Sequence, residues 1–285
     1  MKTLGYYNGI IDEIDKVMIP MNDRVHWFGD GVYDAGPCRN YHIFALDEHL
    51  DRLYNSAGLL RIKMPLTKAE LKDLLNSLVR KMDMGNLFVY VQVTRGTEFP
   101  RNHVFPGPDV PANLWVTLTP QTMADGKTPI KLITIRDTRF FHCNIKTLNL
   151  IPSVMAAEKA KEKGCQEAVF YRLPDRVTEC AHSNVHILKD GILQTAPTDD
   201  LILPGIARAH LIRSCKRLGI PVSETPFTLK ELFDADEIIV TSSSNLCLYA
   251  CEIDGKPAGG KAQDLLAMIR TDLFDEFYAA TDGEA

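Results

Sequence analysis

Lys146 lies in the run Cys143-Asn144-Ile145-Lys146-Thr147-Leu148-Asn149-Leu150, which holds no other charged residue. Apolar surroundings disfavour the ammonium form of a lysine, and the neutral amine is a nucleophile suited to Schiff-base chemistry. Taken alone, the segment fits a surface lysine with its stem on apolar ground better. Glu179, in Val177-Thr178-Glu179-Cys180, falls near the end of an expected strand. A carboxylate there can stand against a protonated ring nitrogen; by itself it reads more simply as a solvated turn acid. Two stretches can cradle a phosphate. Leu203-Pro204-Gly205-Ile206-Ala207-Arg208 opens a helix, whose free N–H groups and dipole favour an anion. Thr241-Ser242-Ser243-Ser244-Asn245 follows a strand and offers hydroxyls and backbone donors. Arg52 follows the apolar pattern of its helix and can face a phosphate, against the alternative of a surface pair with Glu48. Arg101 and His103, two apart in the stiff loop Pro100-Arg101-Asn102-His103, can clamp a carboxylate, although a solvated loop is the commoner case.

Cys180, His182 and His186 raise the question of zinc. On one strand, His182 and His186 would share a face about 13 Å apart at ~3.3 Å per residue. Zinc takes its donors at about 2 Å, so the spacing excludes a shared ion and no metal is expected. The chain has no Gly-x-x-x-x-Gly-Lys-Ser/Thr loop, no Gly-x-Ser-x-Gly elbow and no Gly-x-Gly-x-x-Gly after a strand.

These residues need a globular frame, and composition supplies one. The 285 residues are 45% hydrophobic and 24% charged, with a net charge of −5. A mildly acidic chain without basic clusters argues against nucleic acid or anionic membrane as a partner, though not against a small anion. Seven cysteines, odd in number and without a Cys-x-x-Cys pair, suit free thiols in a reducing compartment. Asn8, Asp12, Glu13 and Asp15 interrupt any signal-type apolar core. No apolar run approaches the roughly 20 residues that span a bilayer. A soluble cytoplasmic protein is expected.

Periodicity predicts the elements. Asn8-Gly9 between Tyr6-Tyr7 and Ile10-Ile11 marks a hairpin. Leu50, Leu53, Tyr54, Ala57 and Leu60 give a helix over 47–61, with Asp47 as its N-cap. Thr67 and Glu70 form a capping box for a helix over 68–83. Strands are expected at 87–93, 114–118, 130–135, 167–171, 185–188 and 237–241. Helices are expected from Pro152 to Gly164, from Gly205 to Leu218, after the capping box Thr228/Glu231, and over 261–278. The Pro- and Gly-bearing stretch 120–129 reads as an interdomain linker between a small domain (1–119) and a large one (130–285) that carries Lys146. Strands and helices mix without βαβ regularity, which points to α+β rather than a doubly wound sheet.

In order along the chain, Asp23-Arg24, Phe28-Gly29-Asp30-Gly31-Val32-Tyr33, His49-Leu50-Asp51-Arg52-Leu53, Val93-Thr94-Arg95-Gly96-Thr97 and Pro100-Arg101-Asn102-His103 are followed by Ile145-Lys146-Thr147-Leu148-Asn149-Leu150. Then come Lys163-Gly164-Cys165-Gln166-Glu167-Ala168, Val177-Thr178-Glu179, Ser183-Asn184-Val185 and Ile202-Leu203-Pro204-Gly205-Ile206. This series resembles the fold-type IV pyridoxal 5'-phosphate (PLP) enzymes, in particular the bacterial D-amino acid transaminases. The resemblance implies two α+β domains with PLP in the cleft between them, and amino acids and 2-oxo acids as substrates. It implies that Lys146 carries the cofactor and moves the substrate proton, and that Glu179 pairs with the pyridine nitrogen. Arg52, the backbone at Ile206 and Ala207, and Ser242 and Ser243 would hold the phosphate. Tyr33, Arg101 and His103 would bind the α-carboxylate. The Arg/His loop of such enzymes reaches in from a partner subunit, so a homodimer is implied.

The chain departs from its relatives in several places. Ala181 and His182 replace a run of serines, Ala207 replaces a threonine, and Glu98-Phe99 lengthens the Arg101/His103 loop by one residue. Asp34-Ala35-Gly36-Pro37-Cys38 beside Tyr33 is unusual and is expected to reshape the side-chain pocket. D-amino acid transamination with an acceptor such as 2-oxoglutarate is the favoured activity. The alternatives are a branched-chain L-amino acid or (R)-amine transaminase, aminodeoxychorismate lyase, or a non-catalytic binding protein on the same scaffold.

Overall fold

The hairpin forms where Asn8-Gly9 places it. Strands β1 (Leu4–Tyr7) and β2 (Ile10–Asp12) pair with Tyr7 opposite Ile10. Asn8 and Gly9 both take positive φ, as the twist of a two-residue hairpin turn requires. This computed structural model describes residues 1–283. The chain divides into two units. The first comprises Met1–Met123, Ile145–Asn149 and residues from Tyr278 on; the second comprises Ala124–Asn144 and Leu150–Phe277.

The first unit is built on one antiparallel sheet. Strands β3 (Gly31–Arg39), β4 (His42–Ile43), β5 (Leu87–Thr94) and β6 (Asn113–Pro120) join the hairpin in the order β2-β1-β6-β5-β3-β4. Alternation puts Val89, Val91 and Val93 of β5 and Leu114, Val116 and Leu118 of β6 into one apolar core. Helix α1 (Arg24–Phe28) precedes β3, and helices α2 (Leu46–Leu59) and α3 (Lys68–Val79) cover the core. They contribute Leu50, Leu53 and Ala57 from α2 and Leu71, Leu75 and Leu78 from α3. Each such buried aliphatic side chain is worth about 1.5–3 kcal/mol against exposure. The Thr67/Glu70 capping box is present in full.

Two details of this unit differ from expectation. Asp47 does not cap α2. The helix starts one residue earlier, at Leu46, and its N-cap is Ala45 in the left-handed conformation with φ 51°. Asp47 instead sits in the first turn, where its charge still suits the helix dipole, and pairs with Lys72 at 2.8 Å. Strand β3 has no alternating signal because Gly36 and Pro37 interrupt it. Proline is tolerated there because β4 pairs only with Cys38 and Arg39, so no ladder bond on that edge requires an N–H from position 37.

The second unit holds strands β7 (Ile130–Arg136), β8 (Glu167–Arg172), β9 (Arg176–Cys180), β10 (Asn184–Lys189) and β11 (Ile192–Thr195). It continues with β12 (Val222–Ser223), β13 (Phe227–Thr228), β14 (Glu237–Thr241), β15 (Leu248–Ile253) and β16 (Lys256–Pro257). The sheet order is β12-β11-β10-β14-β15-β7-β8-β9-β13, with β16 beside β15. Its helices are α4 (Ile151–Glu162), α5 (Ile206–Arg217), α6 (Leu229–Asp234) and α7 (Gln263–Thr281). Most neighbours are antiparallel, but β7 runs parallel to β8 and to β15, and β11 to β12. Helix α4 connects β7 to β8 and α5 connects β11 to β12, so two βαβ connections are embedded in an otherwise α+β arrangement. Strand β14 is buried at all five positions, as its unbroken apolar pattern predicts. Among the described residues, no helix is long and apolar enough to cross a membrane.

Candidate active site

In the first unit, Lys146 lies on a short extended segment laid against β3. Val32 bridges to Thr147, and the Tyr33 N–H donates to the Lys146 carbonyl at 3.0 Å. Ser56 on α2 supports the same segment, its hydroxyl accepting from the Lys146 N–H at 3.3 Å. The backbone is thus held from both sides, and the side chain is only half-buried. Lys146 Nζ stands 4.2 Å from the centre of the Tyr33 ring. The π-face attracts a cation and shields the amine from water. Tyr33 itself stacks on Tyr90 at 5.3 Å and 22°, and Tyr90 packs on Trp115, so two further aromatic rings back the lysine's neighbour.

Arg52 is buried on α2 and pairs with Asp34. Its Nε and Nη2 donate to the two oxygens of Asp34, each at 2.8 Å, and His49 Nδ1 meets the same carboxylate at 2.7 Å. Burial alone would raise the Asp34 pKa. The Arg52 charge and hydrogen bonds, with His49, outweigh it and hold the carboxyl well below the usual range. In the Asp34–Cys38 stretch, Asp34, Gly36 and Cys38 are buried. Gly36 is required there, since a Cβ would stand 2.8 Å from His49 Nε2.

Arg101 and His103 sit on an exposed loop and converge on one ring. The Arg101 guanidinium lies 4.5 Å from the centre of Phe28, and the His103 ring 5.0 Å from it. Arg24 stacks on the same ring at 4.9 Å and donates to the Asn102 carbonyl at 2.8 Å. Asp30 accepts from both Arg24 and Arg95, tying α1 to the end of β5.

In the second unit, Glu179, one residue before the end of β9, is a buried carboxylate met by three kinds of donor. Asn184 Nδ2 reaches it at 3.1 Å, the Leu203 N–H at 3.0 Å, and the Arg139 guanidinium pairs with its other oxygen. Arg139 was not singled out in the sequence, because nothing local distinguishes it. It lies over the Phe170 ring at 4.5 Å and also grips Asp137, which Arg172 holds from the far side at 3.2 Å. Burial works against the Arg139 charge, but Asp137 and Glu179 more than compensate, so the guanidinium stays charged. Asp137 is likewise driven below its ordinary range by Arg139 and Arg172 in spite of burial.

Ile206 and Ala207 open α5, whose N-cap, Gly205, supplies no side-chain cap. The first N–H groups of a helix lack intrahelical partners, so backbone donors are available at that end. A Cβ at Gly205 would fall 2.0 Å from Asn184 Oδ1, so the residue that ties Glu179 to Leu203 also demands glycine at the cap. Ser242 and Ser243 lie in the turn after β14, and the Ser242 and Ser244 hydroxyls are 3.1 Å apart. The second unit holds a helix N-terminus, a run of hydroxyls and a fixed buried carboxylate, and the first unit holds a half-buried lysine amine; each is of the kind a phosphorylated pyridine aldehyde requires. These residues fit the cofactor that the resemblance implies.

The loop before Asn184 follows a different plan from a serine run. Strand β10 begins only at Asn184, so His182 and His186 do not share a strand. His182 meets Glu167 at 2.9 Å. His186 is fully buried between the hydroxyls of Thr195 and Thr241 at 2.8 and 2.9 Å. Burial, with Arg208 adding to it, lowers the His186 pKa to about 3, which keeps the ring neutral.

The fold and these residues match a family. Residues 31–253 fit the description amino-transferase class IV, and the chain belongs to that family. Among curated relatives, the D-alanine aminotransferase of Listeria monocytogenes is 38% identical over 278 residues, covering 96% of both chains. Among solved structures, the branched-chain amino acid aminotransferase of Escherichia coli has a TM-score of 0.88 at 21% identity, covering 99% of this chain and 96% of that one. Another branched-chain amino acid aminotransferase, complexed with N-(5'-phosphopyridoxyl)-L-glutamate, has a TM-score of 0.85 at 24% identity, covering 98% and 94%. At such identities the solved structures establish the fold, not the substrate.

Proposed function

We propose that this chain is a PLP-dependent transaminase that moves the amino group of a D-amino acid such as D-alanine to a 2-oxo acid such as 2-oxoglutarate. The observation that carries this reading is its end-to-end likeness to the Listeria D-alanine aminotransferase. When bound, PLP supplies an electron sink for the carbanion formed at the substrate Cα. Lys146 would hold the cofactor, and its amine, once freed by the incoming substrate amine, would move the proton off the substrate Cα. The aromatic stack behind Tyr33 limits where Nζ can swing, and so which Cα–H it reaches.

Glu179, held rigid by Arg139, Asn184 and the Leu203 N–H, is the anion for a protonated ring nitrogen. The N–H groups of Ile206 and Ala207, the hydroxyls of Ser242 and Ser243, and Arg52 hold the phosphate. Ala207 does so through its backbone only. Tyr33, Arg101 and His103 orient the substrate carboxylate, which decides which hydrogen stands in line with Lys146.

The active form is a homodimer in the cytoplasm, with a domain boundary in the 120–129 stretch. Supporting a partner surface, Ile151, Val154 and Met155 on α4 are exposed at helical spacing in the second unit, as is Phe141 near them in sequence. In the first unit, Phe99, Val104 and Phe105 are exposed on the Arg101 loop. All seven cysteines are unpaired, and burial raises the thiol pKa of Cys143 to about 11 and of Cys215 to about 12, as suits inert free thiols.

Purified enzyme given D- or L-alanine without an acceptor tests the reading. D-alanine should convert the cofactor absorbance to that of its amine form, and Lys146→Ala should abolish the change. Faster conversion with the L-isomer would overturn the assignment.

A further inference from the structure

In the first unit, residues 98–112 connect β5 to β6 and carry Arg101 and His103. The Gly107 N–H donates to the Glu98 carboxylate at 3.4 Å, which closes the neck of this loop. Among the described residues, the Asn102 carbonyl is the one backbone atom within 100–105 that is hydrogen-bonded to the body of the unit, through Arg24. A segment with so few backbone bonds opens readily unless its side chains are tied down.

One tie is the Phe28 ring beneath Arg101 and His103. A second lies further along the loop. The Arg95 guanidinium stands 3.7 Å from the centre of the Phe105 ring, and that of Arg61 4.7 Å from it. Arg95 is itself buried and fixed on every side. Its Nε donates to both oxygens of Asp30 at 3.0 and 2.9 Å, Nη1 to the Arg61 carbonyl at 3.2 Å and Nη2 to the Leu60 carbonyl at 2.9 Å. It therefore offers the loop a rigid planar face, backed by the C-terminal end of α2 and the residue before β3. A ring face attracts such a cation, more strongly where water is excluded. Phe105 is 46% exposed, so removing its ring empties no core volume.

We propose that Phe105 is a positioning residue for recognition of the substrate carboxylate: stacked on Arg95 and Arg61, it latches the loop downstream of Arg101 and His103 and so sets where both stand. The proposal rests on the reading above that these two residues orient the carboxylate. A loop that is unlatched part of the time lowers the fraction of competent sites, and apparent affinity falls by that fraction. Saturating substrate pulls the loop back to its latched position, so kcat is kept.

The test compares the wild-type holoenzyme with Phe105→Leu and Phe105→Tyr. Leucine keeps an apolar side chain at the surface but removes the π-face; tyrosine keeps the face. Loss of the stacking should raise KM for D-alanine about three- to tenfold in Phe105→Leu, with kcat within about twofold, and Phe105→Tyr should restore KM. Trypsin reads the latch without catalysis, because cutting after Arg101 needs an opened segment and follows its population. The Arg101–Asn102 bond should be cut about three- to tenfold faster in Phe105→Leu, and at the wild-type rate in Phe105→Tyr. Either an unchanged KM or equal cleavage at Arg101 in Phe105→Leu would overturn the proposal. So would a smaller sedimenting species for Phe105→Leu than for the wild type, which would assign the ring to a subunit contact instead. If the wild type shows no half-reaction with D-alanine, the functional reading fails, and the cleavage rates still decide whether Phe105 holds the loop.

Discussion

Arg52 is the residue whose surroundings matter most for what it can do. A guanidinium buried with Asp34 is held at a fixed angle by a two-point contact, so any anion it meets finds it already oriented. Removing one partner of a buried pair leaves the other charge uncompensated. Asp34→Asn should therefore cost about 3–5 kcal/mol in unfolding free energy, read from urea denaturation. It should also weaken retention of PLP. The acid limb follows from the same pair. The folded-state pKa of Asp34 lies below its unfolded value of about 3.9, so its contribution is whole above that pH and disappears as the solution becomes strongly acid. The wild type should lose its advantage over Asp34→Asn on going from neutral pH into that range; a constant difference at all pH values would contradict the assignment.

Among the elements, α1 does more than its five residues suggest. Asp23 caps it, accepting from the Val25 N–H, and the helix delivers Arg24 and Phe28 to the underside of the Arg101 loop. Phe28 is the common floor for three cationic or ring groups, while Arg24 fastens the loop backbone at Asn102. Replacing the ring by an aliphatic of similar size removes the π-face but keeps the packing. Phe28→Leu should raise KM for D-alanine about three- to tenfold with little change in kcat, and Phe28→Tyr should restore it. An unchanged KM in Phe28→Leu would mean that the loop is positioned without the Phe28 ring.

For the whole molecule, whether the chain dimerises and which subunit's Arg101 loop serves each site are one question. If each site takes its loop from the partner, Arg101→Ala and Lys146→Ala subunits are each inactive alone. After mixing and reassembly they should regain partial activity, because half of the sites in a mixed dimer are intact. If the loop serves its own subunit, mixing restores nothing beyond either parent. Separately, Ile151→Glu with Met155→Glu places charge on the exposed face of α4 and should shift sedimentation toward the monomer, with activity falling alongside.

Local pattern carried a large part of this protein. Apolar spacing of three and four placed α2, α3 and α7, two capping boxes formed where Thr and Glu stand three apart, and the run Ile238-Ile239-Val240 marked β14. The ordered motifs around Lys146 and Glu179 marked those two residues, because motif order is a property of the chain itself. Strand β3 was invisible, since Gly36 and Pro37 remove the alternation and only the pairing with β5 imposes the extended backbone. Asp47 looked like a cap because the φ of Ala45 is a tertiary choice.

The residues that fix the site were equally hidden. Arg139 meets Glu179 forty positions away in the chain, Glu167 meets Ser183 across sixteen, and Arg52 meets Asp34 across eighteen. A charge pair of that kind leaves no periodic trace, because nothing in local composition says which arginine a carboxylate will face. By itself the sequence determined the elements with strong period and singled out Lys146 as the candidate for the reacting lysine. The tertiary structure decided the partners of every buried charge, because burial requires each to be compensated and only packing brings its counter-ion within reach.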